Sequence, residues 1–414
     1  MDIENELTRK ILDPIHGIIR LTALEIEFIN HPLYQRLRNI KQNSFLYKVF
    51  PSAVHSRFEH SLGVLHLSNE ILKNLHLNTI RYGKKYDDGH VFNAVSLIPK
   101  HNVQELRLAA LMHDIGHGPM SHQFDIFMPT KKELIEFLDK KYHKVLDVLT
   151  QENDQVEHEH LSLIFCLVIF NDLKKRSQVS EEIDVENIFK IIDKKYGNQQ
   201  ILTKVCNKEV DILPLMTSII SSCPIDADRM DYLLRDSYFS GVKCGLYDYN
   251  RLFMSIVPVE ENDKIYLAYK ESGLDSIAEF IGARSSLFSQ VYFHKTNRAF
   301  SSMLNKLCEV MIGKSNKNLI ISDIYEGSAS VPGPDDGIKP LIKDIDKTEI
   351  KLLIKNVDNT YKIKSLSECG DKLDQYQSIK YFIRVFIDRD LKGKVSSNII
   401  KEINNAVMEE VTPS

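Results

Sequence analysis

The chain has 414 residues, more than one average domain, and 43% of them are hydrophobic, which is enough for a substantial core. Its 53 basic and 57 acidic residues give a formal net charge of −4, so no global charge draws it to nucleic acid. The six cysteines form no CxxC pair, the first residues lack the apolar stretch of a secretory signal, and the longest apolar run, 161–170, is too short to cross a bilayer. These features predict a cytoplasmic protein without a membrane segment.

The amino-terminal part alternates turn signals with helical periodicity. Residues 11–20 combine Pro and Gly with β-branched residues and predict a short hairpin. Residues 24–40 predict a helix interrupted by a proline, and the polar side chains on and just after it favour a solvated face: Gln35, Arg36, Arg38 and Gln42. A second helix is predicted to begin near residue 55, with an apolar stripe of leucines. Arg57 and His60 are three residues apart and share a face of this helix.

The most informative stretch is LMHDIGHGPMSHQFD. The apolar residues of 106–112 recur at helical spacing and predict a helix with one buried face. His113 and Asp114 arrive at its last turn, and Gly116 and Gly118 end it. Either these side chains belong to an ordinary helix end, where histidine suits the helix dipole, or they hold a metal ion.

The middle of the chain is a mixture of surface and core signals. Residues 127–156 are rich in lysine and glutamate and predict a surface excursion, whereas the run at 158–170 returns to the core. A polar helical insertion is predicted for 184–207, followed by a buried helix over 211–222 and the acidic helix IDADRMDYLLRDS. Half of that acidic helix is expected to be buried, because tyrosine and leucine interrupt its carboxylates.

The pattern changes after residue 247. Alternating apolar and polar residues about a turn at 261–263 predict a β-hairpin, and 274–312 predicts one long helix. A Pro- and Gly-rich stretch then precedes a mixed tail, in which YFIRVFIDRD is a candidate strand. We therefore predict one domain over 1–314 and a small α+β lobe over 315–414.

Four side chains from three predicted helical segments could bind one ion: His60, His113, Asp114 and Asp228. Helical bundles build inward-facing metal sites in this way. Two imidazoles and two carboxylates suit a transition ion such as Mn, Fe, Ni, Co or Zn better than Mg, which prefers oxygen ligands alone. Spacing along the chain leaves the other interpretation open, namely that these are capping and surface residues.

Several long motifs resemble one family. The ordered set H…HD…D, in the contexts SRFEHSLGV, LMHDIGHGPMSHQFD and IDADRMDYLLRDS, is similar to the HD-domain metal-dependent phosphohydrolases. DPIHG, YQRLRNIKQ and a later R-x7-Y-x-HK match the branch that contains deoxynucleoside triphosphate triphosphohydrolases and bacterial dGTPases. The resemblance covers 13–295 and implies a mostly α fold, an HD-domain helical bundle with a smaller α+β carboxy-terminal lobe.

The resemblance also implies roles, carried over to the matching positions. Its metal ligands are His60, His113, Asp114 and Asp228, with Asp228 counted in the catalytic centre as well. The catalytic cleft contains His117, His122 and His158, where His158 is preferred to His160 because it fits the order H-E-x-x-S. His160 is expected on the helix surface. The substrate-binding residues are Arg57, Arg229 and Lys295 at the phosphates, Tyr232, Asp236 and Gln42 near the sugar, Tyr292 against base or sugar, and Arg284.

This sequence departs from the family pattern at three places. Asn43 stands where an apolar residue abuts the sugar, which weakens the exclusion of a 2′-hydroxyl. Asn30 replaces an aspartate of the activating-nucleotide site of the vertebrate type, although Gln35 and Arg38 are retained. Arg229 replaces a lysine, which preserves the charge and changes its geometry.

The function implied is hydrolysis of (deoxy)nucleoside triphosphates to nucleoside and inorganic triphosphate, with a metal-activated water attacking the α-phosphate. A divalent transition metal is the expected cofactor, and Mg could accompany the substrate triphosphate. A dimer or tetramer of this chain is the expected assembly. The alternatives are an HD-type phosphodiesterase, nuclease or nucleotide phosphatase, or a non-catalytic nucleotide sensor. A nucleotide effector at an oligomer interface and a nucleic-acid partner are left open.

Overall fold

The computed structural model describes residues 2–82, 89–125, 128–197, 199–221, 224–312, 351–355 and 361–365. Its strands and principal helices, in chain order, are β1 (Arg9–Asp13), β2 (Gly17–Leu21), α1 (Ala23–Asn30), α2 (Pro32–Gln35), α3 (Arg57–Tyr82), α4 (Lys100–Met112), α5 (Lys131–Phe137), α6 (His158–Lys175), α7 (Val185–Ile192), β3 (Leu202–Val205), β4 (Lys208–Asp211), α8 (Leu213–Ile220), α9 (Ala227–Ser240), α10 (Tyr249–Ser255), β5 (Ile256–Glu261), β6 (Lys264–Lys270), α11 (Leu274–Leu287), α12 (Lys295–Ile312), β7 (Lys351–Lys355) and β8 (Tyr361–Ser365).

The fold is mostly α-helical, as predicted, and α3 runs through its centre. Most of the first 16 residues of α3 are buried, and α3 packs against both α4 and α9. Leucine, isoleucine and valine side chains from these helices and from α6 and α8 form one large apolar core. Within the described ranges, no helix combines the length and the apolar character needed to cross a bilayer.

Local sequence explains where α3 and α4 begin and end. Ser56 precedes α3, and its backbone N–H donates to Glu59 Oε2 at 2.7 Å, which caps the helix start. After α4 the chain turns back through residues 113–121, where Met120 and Ser121 adopt left-handed backbone angles. This turn carries the HD motif against the amino-terminal end of α6.

Gly116 is required at that turn because the backbone of α6 lies directly against it. A Cβ atom at this position would be 2.0 Å from the carbonyl oxygen of His158 and 2.4 Å from the backbone nitrogen of Ser162. The Gly116 N–H donates to Ser162 Oγ at 2.9 Å, and that hydroxyl donates to the His113 carbonyl at 2.7 Å. The turn is thus fastened to α6 by hydrogen bonds that only a glycine permits.

Both predicted hairpins are present. Strands β1 and β2 pair antiparallel, from Arg9 opposite Leu21 to Asp13 opposite Gly17. Strands β5 and β6 pair antiparallel about Asn262 and Asp263, whose positive φ angles of 53° and 59° are typical of a type I′ turn. The turn of the hairpin over 11–20 contacts α9 through hydrogen bonds of Asp13 and His16.

A mixed sheet packs against α3 and α8. Its strand order is β3-β4-β6-β7-β8, and β5 also pairs with β6. Strands β7 and β8 come from the segment that we assigned to a carboxy-terminal lobe, yet β7 pairs in parallel with β6. The candidate strand over 381–390 lies outside the described residues, and the domain boundary near 314 stays a prediction.

Two predicted elements differ from the structure. The single helix expected over 274–312 is interrupted by a π-helical turn at Phe288–Tyr292, which separates α11 from α12. The polar helical insertion expected over 184–207 contains α7, whose apolar face is buried, and then strand β3. In both places tertiary packing outweighs local periodicity.

Candidate metal centre and adjoining cavity

The four predicted metal ligands lie close together. His60 is in the second turn of α3, His113 and Asp114 follow α4, and Asp228 is in the first turn of α9. His60 Nε2 is 3.1 Å from Asp228 Oδ1 and 3.6 Å from Asp114 Oδ2. His113 Nε2 is 3.6 Å from Asp114 Oδ1 and 3.8 Å from Asp228 Oδ1. Three helices therefore bring two imidazoles and two carboxylates around one point.

The hydrogen bonds of the two imidazoles fit a bound metal ion. His60 Nδ1 donates to Asp231 Oδ2 at 2.8 Å, and His113 Nδ1 donates to the Ala110 carbonyl at 2.8 Å. The Nε2 atoms of His60 and His113 are buried and have no hydrogen-bond partner in the described part of the chain. Each ring therefore turns Nε2 towards the carboxylates and leaves it as the atom that would bind a metal ion.

The carboxylates and imidazoles at this centre shift one another's pKa values. Burial raises the pKa of Asp114, but Arg57 and the imidazoles of His113 and His117 outweigh it and hold that pKa well below its usual value. Burial lowers the pKa of His60, yet Asp228, Asp231 and Asp114 raise it to about 10. A metal ion would compete with that proton for Nε2 of His60, because the same carboxylates attract both cations.

Arg57 connects the ligand cluster to a larger cavity. Its side chain is buried, pairs with Asp114 through Nη1, and donates from Nε to Ser121 Oγ at 2.9 Å. Ser121 in turn donates to the Lys41 carbonyl at 2.7 Å. The guanidinium is therefore held rigidly beside the metal ligands, where it can neutralise a phosphate.

A second cluster of imidazoles lies beside the first. The rings of His117 and His158 stack with centroids 3.7 Å apart, and His122 lies edge-on to both, at 4.6 and 5.1 Å. Asp125 Oδ2 accepts from His122 Nδ1 at 3.1 Å and is 3.4 Å from His158 Nδ1. The predicted cleft histidines are thus grouped around a carboxylate, Asp125, that the sequence analysis did not assign.

These groups have different pKa shifts because their surroundings differ. Burial lowers the pKa of His117, and the charges of Arg57 and His158 lower it further, so this ring is neutral. Burial also lowers the pKa of His158, but the hydrogen bond to Asp125 and nearby carboxylates outweigh it and raise that pKa overall. His158 therefore holds its proton to a higher pH than His117 does.

A cavity of about 460 Å³ adjoins these clusters. Six predicted site residues line it: Gln42, Arg57, His122, Tyr232, Asp236 and Tyr292. The other described residues that line it include Asn43, Phe288, Phe293, Asn297, Arg298 and Ser301. Since Arg57 lines the cavity and contacts Asp114, the ligand cluster and the cavity share a wall.

Three predicted substrate residues lie outside the described lining of this cavity. Arg229 pairs with Asp226 at the start of α9. Arg284 places its guanidinium 5.5 Å from the Phe288 ring centroid. Lys295 is exposed at the first residue of α12. Their assignment as substrate-binding residues stays a prediction.

Asp236 is the polar centre of the cavity wall. It accepts from His55 Nε2 at 2.6 Å, from Asn43 Nδ2 at 2.9 Å, and from the Tyr292 hydroxyl. Burial raises the pKa of Asp236, but His55 and the other donors outweigh it and lower that pKa overall. Asn43 therefore places a polar amide in the cavity, held by a carboxylate.

Two interpretations of single residues were wrong. Arg36 was grouped with a solvated helix face, but it is buried and donates from Nη1 to the His117 carbonyl at 2.6 Å. His160 was expected on a helix surface, but it is buried, and its Nδ1 accepts from the Glu157 N–H at 2.9 Å at the start of α6. The spacing of Glu157 and His160 is that of a capping box, which could have indicated this role.

Residues 57–235 match the family model described as HD domain, and they contain every proposed metal ligand. The chain therefore contains an HD domain, and over that range it is similar to the HD-domain phosphohydrolases. It is 31% identical over 300 residues to the uncharacterized protein YwfO of Bacillus subtilis, covering 71% of this chain and 54% of that protein.

More distant relatives carry a named activity. The chain is 26% identical over 311 residues to the deoxynucleoside triphosphate triphosphohydrolase SAMHD1 of Homo sapiens, covering 73% of this chain and 45% of that protein. It is 27% identical over 313 residues to the SAMHD1 of Danio rerio, covering 73% and 45%. The chain spans about half the length of the first curated relatives that it matches.

Proposed function

We propose that this protein hydrolyses nucleoside or deoxynucleoside triphosphates to nucleoside and inorganic triphosphate. The observation that carries the proposal is the pair of buried Nε2 atoms, on His60 and His113, that face two carboxylates beside an arginine-lined cavity. Such a donor set suits a divalent transition ion, and the cavity volume of about 460 Å³ is in the range of small-ligand sites.

His60, His113, Asp114 and Asp228 are the residues that would hold the ion, with Mn, Fe, Co, Ni and Zn as candidates and Mg a candidate companion of the substrate triphosphate. The bound ion would supply a Lewis acid and an activated water at the phosphate. Arg57 neutralises phosphate charge at the cavity wall, and its bonds to Asp114 and Ser121 fix its orientation.

The leaving sugar oxygen needs a proton, which the imidazole cluster supplies. His122 lines the cavity and bonds through Nδ1 to Asp125, so Nε2 is the ring nitrogen left to exchange a proton with a bound ligand. His158 shares the same carboxylate and is a second source. Imidazoles are suited to this task because they change charge near neutral pH.

The far end of the cavity holds the nucleoside. Phe288, Phe293 and Tyr292 offer aromatic faces for a base, and the Asp236–Asn43 pair offers hydrogen bonds to sugar hydroxyls. Because Asn43 is polar, the proposal includes ribonucleotides as well as deoxyribonucleotides. Arg298 adds a further cation to this wall.

The proposal includes a homo-oligomer regulated by a nucleotide. Gln35 and Arg38, which the sequence resemblance connects with an activator, hydrogen-bond to each other at 2.7 Å. Arg38 also stacks on the ring of Phe58 at 3.6 Å, so its guanidinium is held near the surface. Light scattering with and without nucleotides tests the assembly, which we expect to be a dimer or tetramer.

The test of activity is product analysis. Purified protein is incubated with the eight common nucleotides and with Mn, Fe, Co, Ni or Mg, and products are separated by chromatography. We expect inorganic triphosphate and nucleoside, and we expect His113→Ala and Asp114→Ala to abolish turnover while far-UV circular dichroism is unchanged. Monophosphate or orthophosphate products would instead indicate a nucleotide phosphatase, and monophosphates released from an added oligonucleotide would indicate a phosphodiesterase or nuclease. Nucleotide binding without any product would indicate a sensor.

A further inference from the structure

The carboxylate of Asp231 has all of its hydrogen-bonding positions filled. Oδ2 accepts from His60 Nδ1 at 2.8 Å and from Arg235 Nε at 2.8 Å. Oδ1 accepts from His16 Nε2 at 2.6 Å and from Arg235 Nη2 at 2.9 Å. A carboxylate offers about four acceptor positions, so the side chain is fixed in one orientation.

His16 is delivered to this point by the turn between β1 and β2. Asp13 Oδ1 accepts from the backbone N–H groups of Ile15 and His16, both at 2.9 Å, which closes the turn. Asp13 Oδ2 accepts from Arg235 Nη1 at 2.8 Å, which ties the turn to α9. The DPIHG motif, whose role the proposed chemistry leaves unexplained, thus holds one imidazole against Asp231.

Helix α3 leaves space for this arrangement at Gly63. A Cβ atom there would lie 1.8 Å from Asp231 Oδ1 and 2.6 Å from Arg235 Nη2. Any side chain at position 63 would therefore displace the carboxylate or the guanidinium. The Asp231 carboxylate, which accepts a hydrogen bond from His60, is therefore contacted by three separate parts of the chain: the hairpin turn, α3 and α9.

We infer that His16 is a positioning residue for the metal ligand His60 and acts through Asp231. The inference rests on the proposed metal centre. A carboxylate only accepts hydrogen bonds, so Asp231 keeps the proton of His60 on Nδ1 and leaves Nε2 as the ligand atom. His16 holds the opposite oxygen of Asp231. Without that bond the carboxylate loses a buried donor and its fixed orientation.

Substitutions at His16 have room in the fold, because this ring lines a cavity of about 840 Å³. His16→Leu removes the donor, His16→Asn shortens it, and His16→Gln keeps an N–H near the original position. His66→Leu is the matched control. Its ring lies 5.1 Å from that of His16 and lines the same cavity, but the described contacts include no hydrogen bond from it to Asp231.

The experiment measures the affinity and the visible absorption spectrum of Co²⁺ bound to the full-length protein, in competition with a chelator. We expect His16→Leu and His16→Asn to weaken Co²⁺ binding about 10- to 100-fold, the usual effect of removing an outer partner of a metal ligand. His16→Gln restores most of the affinity, and His66→Leu leaves it unchanged.

Wild-type affinity in both His16→Asn and His16→Leu would overturn the inference, as would losses in His16→Gln and His66→Leu as large as the loss in His16→Leu. If His16→Leu does not fold, the comparison of His16→Asn with His16→Gln decides the matter. His60→Ala separates the two proposals. If it binds Co²⁺ as the wild type does, the metal centre itself is wrong; if it loses Co²⁺ and the His16 variants do not, only the role of His16 is wrong.

Discussion

Asp125 determines how the cleft histidines share protons. Burial raises its pKa, but the bonds from His122 and His158 outweigh that effect and lower it. The same carboxylate raises the pKa of His158 above the ordinary value of 6.5, against the effect of burial. Asp125 thus keeps the imidazole beside it charged to a higher pH than burial alone would allow.

We expect Asp125→Asn to move the alkaline limb of the kcat–pH profile towards lower pH. Without the carboxylate, burial lowers the pKa of His158, so its proton is lost at a lower pH. The profile is measured for the triphosphatase reaction between pH 5 and 9, a range set roughly by imidazole titration. Asp172→Asn, which removes a partly exposed carboxylate on α6, is the control. An unchanged limb in Asp125→Asn would contradict the role given to Asp125.

For single residues, the sequence identified the proposed metal ligands but not the side chains that hydrogen-bond to them and fix their orientation. His113 and Asp114 are adjacent at a helix end, and a motif names them directly. Asp231 and His16 are 215 positions apart, and nothing in the local sequence of either indicates that they touch. Arg36 was misjudged for the same reason, because its carbonyl partners lie on a distant turn. Side-chain partners far apart in sequence are decided by the packing of helices.

Between elements, a buried ion pair joins α1 to α4 ahead of the HD turn. Glu25 accepts from Arg107 Nε at 2.7 Å and Nη2 at 2.9 Å, and from Gln104 Nε2 at 2.7 Å. It also accepts from the backbone N–H of Thr22, which caps α1. Both charged side chains are almost fully buried, so the pair needs each of its partners.

We expect Glu25→Ala to lower the free energy of unfolding by about 3–5 kcal/mol, because it leaves the Arg107 guanidinium buried without its counter-charge. The control is Glu6→Ala, which removes a partly exposed partner of Lys100 and should cost less than about 1 kcal/mol. Denaturant titration measures both. Similar losses in the two variants would show that the buried pair stabilises the fold no more than the exposed pair does.

Element prediction succeeded where the local pattern is sufficient. The hairpin over 256–270 follows from alternation and a two-residue turn, and α4 follows from apolar spacing. The π-helical turn at 288–292 was not predictable in this way. It brings Tyr292 within hydrogen-bonding distance of Asp236, a contact between two helices that periodicity does not encode.

For the whole molecule, the metal centre joins segments that are far apart along the chain. His60, Asp114 and Asp228 lie on or next to α3, α4 and α9, which pack together in the core. The fold class was predictable because long motifs place these residues on helices. The pairing of β7 with β6 was not, since parallel partners so far apart in sequence leave no mark on either strand.

We expect metal removal to destabilise the entire fold, because an ion bound by three helices binds only the folded chain. At a free metal concentration 100 times the dissociation constant, binding adds about 2.7 kcal/mol to stability. For a chain of this size, that corresponds to a rise in Tm of about 3 °C. Differential scanning calorimetry of Mn²⁺-loaded protein, with and without excess EDTA, measures the change. His113→Ala should have the same Tm in both conditions, since it lacks a ligand. An EDTA effect of equal size in His113→Ala would place the stabilising ion elsewhere in the molecule.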